Sequence, residues 1–250
     1  KAQLKEEADY CREAEQMRHY ARLLSGEPQF LVPKPYDALS TQRILAMDYI
    51  DGRAIETLEG EAQEVRDRVM TALLGLVLRE LFEFGYMQTD PNFANYRWQA
   101  DSGKLVLLDF GAARPIPPVT IAAYMRLMRA GLDGDHDALR EALVENAFIS
   151  EASLARHRPA MDAMIDVLME HLGRGGEFDF SDRSFVERLR AHGETIFADK
   201  DAWHIPPADT LFVQRKVSGT ALLAIRMKAR MPLKDMVARE VGAREIGAMA

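Results

Sequence analysis

Three oxygen-bearing side chains, Asp90, Asn95 and Asp109, lie in the most irregular part of the sequence. Asp90 and Asn95 share the polar run 88–95, and Asp109 follows an apolar stretch and opens a D-F-G tripeptide. Carboxylate and amide oxygens are the hard ligands that Mg²⁺ prefers, and Mg²⁺ neutralises the charge of phosphate groups. The set therefore predicts a magnesium–phosphate site, in which Asn95 and Asp109 bind the metal and Asp90 orients or deprotonates a phosphoryl acceptor.

The order and spacing of these residues strengthen that prediction. Asp90 and Asn95 stand in the D-x-x-x-x-N spacing of a kinase catalytic loop, and a D-F-G at a strand end is where kinases hold a metal-binding aspartate. Taken singly, Asp90 and Asn95 are equally well explained as turn or cap residues, and the D-F-G as a turn that ends a strand. Found together around a predicted hairpin, they favour the phosphate site.

The elements that must position these residues follow from hydrophobic periodicity. It predicts helices over residues 3–24, 61–84, 119–131, 135–146, 151–172, 182–198, 208–230 and 233–247. Strands are predicted at 30–32, 43–50, 96–98 and 105–108, with a hairpin turn at 101–103. This hairpin carries the chain from Asn95 back to Asp109, so both side chains should meet at one edge. The expected fold class is α+β and mostly helical.

Length and composition exclude several classes of protein. The chain has 250 residues, of which 48% are hydrophobic, so wholesale disorder is excluded. A formal charge of -7 is unsuited to coating nucleic acid, and we expect no nucleic-acid partner. The single cysteine, Cys11, excludes a disulfide framework, and the histidines have no metal-ligand spacing. No apolar run approaches the length of a membrane span.

Longer stretches around the three residues resemble the UbiB (AarF/ADCK) family of atypical kinase-like proteins, most closely its coenzyme Q branch. The central matches are F-G-Y-M-Q-T-D-P-N-F-A-N at 84–95 and V-L-L-D-F-G-A-A-R at 106–114. Further matches are an E-x-D and R-E-A segment at 7–14, strand segments at 32–36 and 39–52, and C-terminal segments at 206–209, 215–219 and 228–232. The resemblance covers nearly the whole chain.

The resemblance implies a protein-kinase-like fold with a truncated N-lobe, residues 1–52, and a helical C-lobe, residues 53–250. It implies that Glu13 is the helix-C glutamate, which pairs with a phosphate-contacting lysine, and that Glu7 and Asp9 form the family's E-x-D pair. Without the family, these acids are better explained as the solvated face of a charged helix. It also implies that Mg-ATP lies between the lobes and that a hinge strand binds adenine. The hinge residues are Met47, Asp48, Tyr49 and Ile50.

The sequence departs from the family in its first part and from protein kinases at the centre. No phosphate loop, strand lysine or K-x-G-Q element precedes Glu13, so we expect a C-terminal piece of a longer protein that binds nucleotide weakly by itself. Gln88 and Thr89 replace the His-Arg of protein kinases, and only residues 112–118 separate the D-F-G from the next predicted helix. We therefore expect no phosphorylation of other proteins.

The function expected first is an atypical kinase-like ATPase or phosphotransferase that supports ubiquinone biosynthesis, with ATP and Mg²⁺ as cofactors and quinone-biosynthesis proteins as partners. The alternatives are a non-catalytic pseudokinase module that senses nucleotide or lipid, and a small-molecule phosphotransferase of the aminoglycoside-kinase type. Segment 210–234 has six basic residues and no acidic one. It predicts either a packed helix with a basic rim or a helix that touches anionic lipid or a quinone-precursor membrane surface. The expected location is the cytoplasm, with peripheral inner-membrane contact in the second case.

Overall fold

The computed structural model describes residues 9–173, 175–199 and 206–248. Its α-helices are α1 (Tyr10–Leu23), α2 (Gln63–Arg79), α3 (Pro118–Asp133), α4 (His136–Glu145), α5 (Glu151–Gly173), α6 (Arg183–Ala198), α7 (Ala208–Met227) and α8 (Leu233–Ala248). Its strands are β1 (Phe30–Leu31), β2 (Arg53–Ala54), β3 (Tyr86–Gln88), β4 (Tyr96–Gln99), β5 (Lys104–Leu107), β6 (Ala113–Pro115), β7 (Phe178–Asp179) and β8 (Arg230–Met231). These elements confirm the predicted α+β, mostly helical class.

The main sheet has the strand order β1-β5-β4-β2. Its centre is the predicted hairpin of β4 and β5, in which Tyr96 lies opposite Leu107 and Gln99 opposite Lys104. Gly103 closes the turn with a φ of +65°, a conformation that glycine adopts without steric cost. Strand β1 joins β5 in parallel, and β2 joins β4 antiparallel. The N-lobe boundary predicted at residue 52 stays a prediction, and this sheet contains strands from both sides of it.

Helix α2 forms because its apolar residues recur at helical spacing, and that face makes the centre of the core. Val69, Leu73 and Val77 are almost fully buried there. Replacing Leu73 with alanine would cost about 2–5 kcal/mol through lost burial and the cavity left behind. The helix continues as one π-helical turn, Glu80–Phe84, which brings the Glu80 carboxylate into the interior. The long helix predicted over 61–84 is thus confirmed.

Two predicted elements differ from the structure. The predicted strand 43–50 is wrong, since this segment makes only isolated bridges such as Pro35 to Met47. Pro33 and Pro35 lack amide hydrogens, so the opposing segment cannot form a continuous ladder. The predicted helix 208–230 ends at Met227, because Lys228 takes a left-handed φ of 48° and the chain then enters β8.

Two expectations concern the ends of the chain and the membrane. The helix predicted over 3–24 is present from Tyr10 to Leu23, and residues 1–8 lie outside the described part of the chain. Within the described ranges, none of the helices combines the length and the apolar character needed to cross a membrane.

Candidate active site

A cleft of about 730 Å³ lies between α1, the segment around Met47 and the loops that carry Asp90 and Asp109. Its lining combines acidic side chains with an apolar wall. The lining residues are Tyr10, Glu13, Arg43, Ile44, Leu45, Met47, Thr89, Asp90, Leu108, Asp109, Gly111, Ala112 and Arg215. Such a cleft is large enough for a small-molecule ligand with charged groups.

The two loops are brought together by short-range pairing of the strands beside them. Strand β3 pairs with β6, so that Gln88 lies opposite Ala113. The buried Thr89 hydroxyl then donates a 2.9 Å hydrogen bond to the Ala112 carbonyl oxygen. Thr89 stands where protein kinases have an arginine, and here it ties the loop of Asp90 to the segment after Asp109.

Asp90 and Asn95 contact each other across their loop. The Asn95 amide nitrogen donates a 3.0 Å hydrogen bond to Asp90 Oδ2. Because the nitrogen is used in this way, the amide oxygen of Asn95 is the atom that stays available as an acceptor or metal ligand. The backbone of Asn95 is also held, since its carbonyl accepts a 3.0 Å hydrogen bond from Leu108 N.

Asp109 is fixed by its own D-F-G segment. Its Oδ1 atom accepts a 2.9 Å hydrogen bond from Gly111 N, and no described residue donates to Oδ2. Phe110 is buried, with its ring centroid 4.9 Å from that of Tyr20 on α1. The buried phenyl ring anchors the segment and leaves the carboxylate at the cleft.

Glu13 adds a second carboxylate on the α1 side of the cleft. It is 9% exposed, and its Oε1 atom accepts a 3.5 Å hydrogen bond from Phe110 N. Burial and the nearby charge of Asp109 raise the pKa of Glu13, because both disfavour its charged form. Two carboxylates close together in a half-enclosed cleft favour the binding of a cation.

The donors present fit Mg²⁺. Asn95 offers an amide oxygen and Asp109 a free carboxylate oxygen, which are ligands that Mg²⁺ accepts when phosphate and water complete its octahedron. Within residues 9–173, 175–199 and 206–248, no cluster of three or more His, Cys, Asp or Glu side chains is placed to hold a metal ion. A metal at Asn95 and Asp109 therefore depends on ligands that arrive with it.

Comparison with protein families agrees with this geometry. The ABC1 atypical kinase-like domain matches residues 1–143, which is more than half of the chain and includes Glu13, Asp90, Asn95 and Asp109. The chain belongs to the ABC1 atypical kinase-like family. The resemblance to UbiB (AarF/ADCK) proteins is thereby confirmed.

Curated relatives of this ABC1 chain extend the match towards the C-terminus. It is 32% identical to the atypical kinase COQ8B, mitochondrial, of Rattus norvegicus, over 92% of this chain and 43% of the relative. It is 32% identical to the atypical kinase COQ8, mitochondrial, of Saccharomyces cerevisiae, over 92% of this chain and 46% of the relative. The chain thus spans less than half the length of these relatives.

A solved structure shows the same fold. The Rv3197 protein of Mycobacterium tuberculosis, solved in complex with erythromycin, superposes with a TM-score of 0.74 at 20% identity, over 93% of this chain and 57% of that protein. The likeness concerns the fold, which is protein-kinase-like as predicted.

The hinge residues proposed for the ABC1 chain are only partly at the cleft. Met47 lines it, whereas the Asp48 carboxylate accepts hydrogen bonds from Lys34 N and the Tyr36 hydroxyl. Tyr49 is 90% exposed, and neither it nor Ile50 is among the lining residues. The structure therefore brings one of the four to the site.

The family's E-x-D pair is represented by Asp9, because Glu7 lies outside the described residues. Asp9 caps α1, and its Oδ1 atom accepts hydrogen bonds from Cys11 N at 3.1 Å and Arg12 N at 3.4 Å. An aspartate at this position stabilises the first turn of the helix that carries Glu13.

Two arginines at the site were missed by reasoning from sequence. Arg12 on α1 donates to the carbonyl oxygens of Gly111 at 2.7 Å and Ala113 at 2.9 Å. Arg215 on α7 lies 3.5 Å from Asp90 Oδ1. The matched segments R-E-A and R-K-V-S-G contain both residues, and they were the only signal that could have found them.

The basic segment 210–234 largely serves contacts within the chain. Besides Arg215, Lys216 donates to Gln88 and Tyr96, Arg226 pairs with Glu56 and Glu59, and Arg230 pairs with Asp179. Four of its six basic residues are thus engaged with described residues. This arrangement favours the packed helix over the lipid-contacting helix.

Proposed function

We propose that this chain is the metal- and phosphate-binding part of an atypical kinase-like ATPase or phosphotransferase that acts in ubiquinone biosynthesis. The observation that carries the proposal is the position of Asp90 and Asp109 in the lining of one cleft, with the buried Asn95 hydrogen-bonded to Asp90 behind it. Membership of the ABC1 family and the similarity to atypical kinases support it.

In this proposal the chain holds Mg-ATP by its phosphate end. The Asn95 amide oxygen and the free Asp109 oxygen bind Mg²⁺, and Glu13 faces the same region from α1. When bound, Mg²⁺ supplies charge neutralisation on the phosphate groups. The apolar side chains of Ile44, Leu45 and Met47 form a wall of the cleft and suit a flat adenine ring.

Asp90 is proposed as the residue beside the phosphoryl acceptor. Its Oδ2 atom is held by Asn95 and its Oδ1 atom lies near Arg215, so the carboxylate has a fixed orientation. A carboxylate so placed can accept the proton of a hydroxyl group or orient a water molecule. The proposed partners are nucleotide and quinone-biosynthesis proteins. Contact with a membrane surface through 210–234 has no support from the contacts of that segment.

The decisive experiment uses the full-length protein and three matched aspartate variants. Mg-ATP should raise the melting temperature of the wild type and of Asp90→Asn, but not that of Asp109→Asn. The rate of phosphate release should fall at least about 100-fold in Asp90→Asn, which is the usual effect of losing an acid–base group. The control Asp101→Asn, at the exposed hairpin turn, should behave as wild type.

Two results would contradict the proposal. If Mg-ATP did not raise the melting temperature of the wild type, the proposed nucleotide binding would be contradicted. If Asp90→Asn released phosphate as fast as the wild type, the catalytic role of Asp90 would be contradicted. A non-catalytic nucleotide-sensing module would then explain the cleft better.

A further inference from the structure

A single buried ammonium group contacts both ends of the loop that carries Asp90 and Asn95. Lys216 on α7 is 2% exposed, and its Nζ atom donates to Gln88 Oε1 at 2.9 Å and to the hydroxyl oxygen of Tyr96. Gln88 comes two residues before Asp90, and Tyr96 directly follows Asn95. The side chain of Lys216 therefore spans the base of the loop.

The buried charge of Lys216 is compensated by a network of polar side chains around it. Burial alone lowers the pKa of Lys216, but Tyr96 and the Glu80 carboxylate outweigh it and raise that pKa above its ordinary value. The Glu80 carboxylate also accepts hydrogen bonds from the Tyr20 hydroxyl at 2.8 Å and from Gln88 N at 3.3 Å. Gln88 is thus held by its backbone through Glu80 and by its side chain through Lys216.

Two further residues of α7 lie close to the same loop. Gly219 approaches Pro91 so closely that an added Cβ would lie 2.3 Å from Pro91 Cβ. Arg215, beside Lys216, lies 3.5 Å from Asp90 Oδ1. Three nearby residues of one helix, Arg215, Lys216 and Gly219, therefore constrain the position of residues 88–96.

We propose that Lys216 is a positioning residue for the reaction. It fixes the distance between the two ends of the loop that carries Asp90 and Asn95. With Gln88 and Tyr96 held by one atom, Asp90 and Asn95 keep the mutual orientation that their hydrogen bond requires. The inference rests on the proposed function for its catalytic consequence, whereas its structural consequence can be measured without nucleotide.

The alternative explanation is that Lys216 is only a core residue, whose replacement lowers the free energy of unfolding and has no specific effect on the loop. A matched pair of variants of the full-length protein separates the two explanations. Lys216→Met removes the ammonium but keeps an unbranched chain of similar length. The control Leu223→Ala creates a cavity on the same helix at a fully buried residue, and we expect a comparable loss of stability from it.

The first measurement is hydrogen exchange of residues 88–96 without nucleotide, at a temperature where each variant is folded. Lys216→Met should speed exchange in this loop at least about 10-fold relative to Leu223→Ala, as expected for a loop that opens locally. Equal exchange in the two variants would overturn the inference. This readout stands even if the wild type neither binds nor hydrolyses Mg-ATP, a result that would refute the proposed function alone.

The second measurement compares kcat with the affinity for Mg-ATP. Lys216→Met should lower kcat by roughly 10- to 100-fold, the scale of a misplacement near 1 Å, with a Kd within about 3-fold of wild type. Leu223→Ala should keep kcat. Equal losses of kcat in both variants would overturn the catalytic part of the inference.

A milder variant keeps the test usable if Lys216→Met fails to fold. Tyr96→Phe leaves the lysine and the ring in place and removes only the hydroxyl group at one end of the loop. It should speed exchange at 93–96 more than at 88–90, because Gln88 stays held. Unchanged exchange at 93–96 would overturn the inference.

Discussion

The Asn95 side-chain amide donates a 3.0 Å hydrogen bond to Asp90 Oδ2, so the two polar residues of the loop are joined. This bond orients both partners at once, since it fixes the Asp90 carboxylate and turns the Asn95 amide oxygen away from it. In the proposed function, Asn95 is the metal ligand of the pair and Asp90 is the group beside the acceptor.

Replacing Asn95 by aspartate should make stability depend on pH more steeply than in the wild type. Two carboxylates about 3 Å apart cannot both ionise, so one of them would have a raised pKa in the folded state. Asn95→Asp should therefore be less stable than wild type near pH 8 and should recover as the pH falls and the pair binds a proton. Urea unfolding at pH 5.5 and pH 8 measures this. The control Asn92→Asp, whose side chain only accepts a hydrogen bond from Ala94 N, should keep the pH dependence of the wild type.

Glu13 gives a second pH-dependent prediction. Burial and the Asp109 charge raise the pKa of Glu13 in the folded state above that of the unfolded chain. Below the unfolded value both states carry the proton; as the pH rises further, the unfolded chain ionises first and the folded state loses stability. Glu13→Gln should thus gain stability relative to wild type as the pH rises above about 4.5, the ordinary value for a glutamate.

The control for this experiment is Glu15→Gln, at an exposed residue of the same helix. Denaturant unfolding without metal should give a wild-type pH slope for Glu15→Gln and a flatter slope for Glu13→Gln. Parallel slopes for Glu13→Gln and wild type would show that Glu13 ionises in the folded state as it does in the unfolded chain.

Gly219→Ala should be destabilising although glycine-to-alanine changes usually favour a helix. The new Cβ would meet Pro91 Cβ at 2.3 Å, so α7 and the loop must separate. We expect a loss of about 1–3 kcal/mol from overpacking and a lower rate of phosphate release. Gly75→Ala is the matched control, because its Cβ would meet only the flexible end of Met236 at 3.8 Å. Equal unfolding midpoints for the two variants would contradict the close approach.

Arg12→Lys should loosen the segment after Asp109. The guanidinium group bonds the carbonyl oxygens of Gly111 and Ala113 together, and a single ammonium group cannot reproduce that fork. We expect a loss of about 1–2 kcal/mol and a smaller melting-temperature shift with Mg-ATP. Arg22→Lys, at an exposed residue of the same helix, serves as the control. A wild-type shift in Arg12→Lys would show that the fork has no effect on the site.

Sequence reasoning could predict the centre of the candidate site because its signals are local. The spacing of Asp90 and Asn95, the D-F-G at Asp109 and the hairpin between them all lie within 90–109, where chain geometry alone limits what can meet. The hairpin was confirmed for the same reason, since Gly103 closes a short turn between two adjacent strands. Glu13 needed the family resemblance, because 97 residues separate it from Phe110.

What only the tertiary structure decided is how distant charges are used. Lys216 meets Gln88 across 128 residues, and a count of basic residues in 210–234 cannot tell a buried lysine from one that faces lipid. Likewise, the mostly apolar segment 43–50 was predicted to be a strand. A strand forms only where a partner segment offers amide hydrogens, and Pro33 and Pro35 have none to offer. The sequence by itself therefore determined the family and the fold class and predicted the candidate site residues, whereas burial and long-range contacts determined what holds those residues in place.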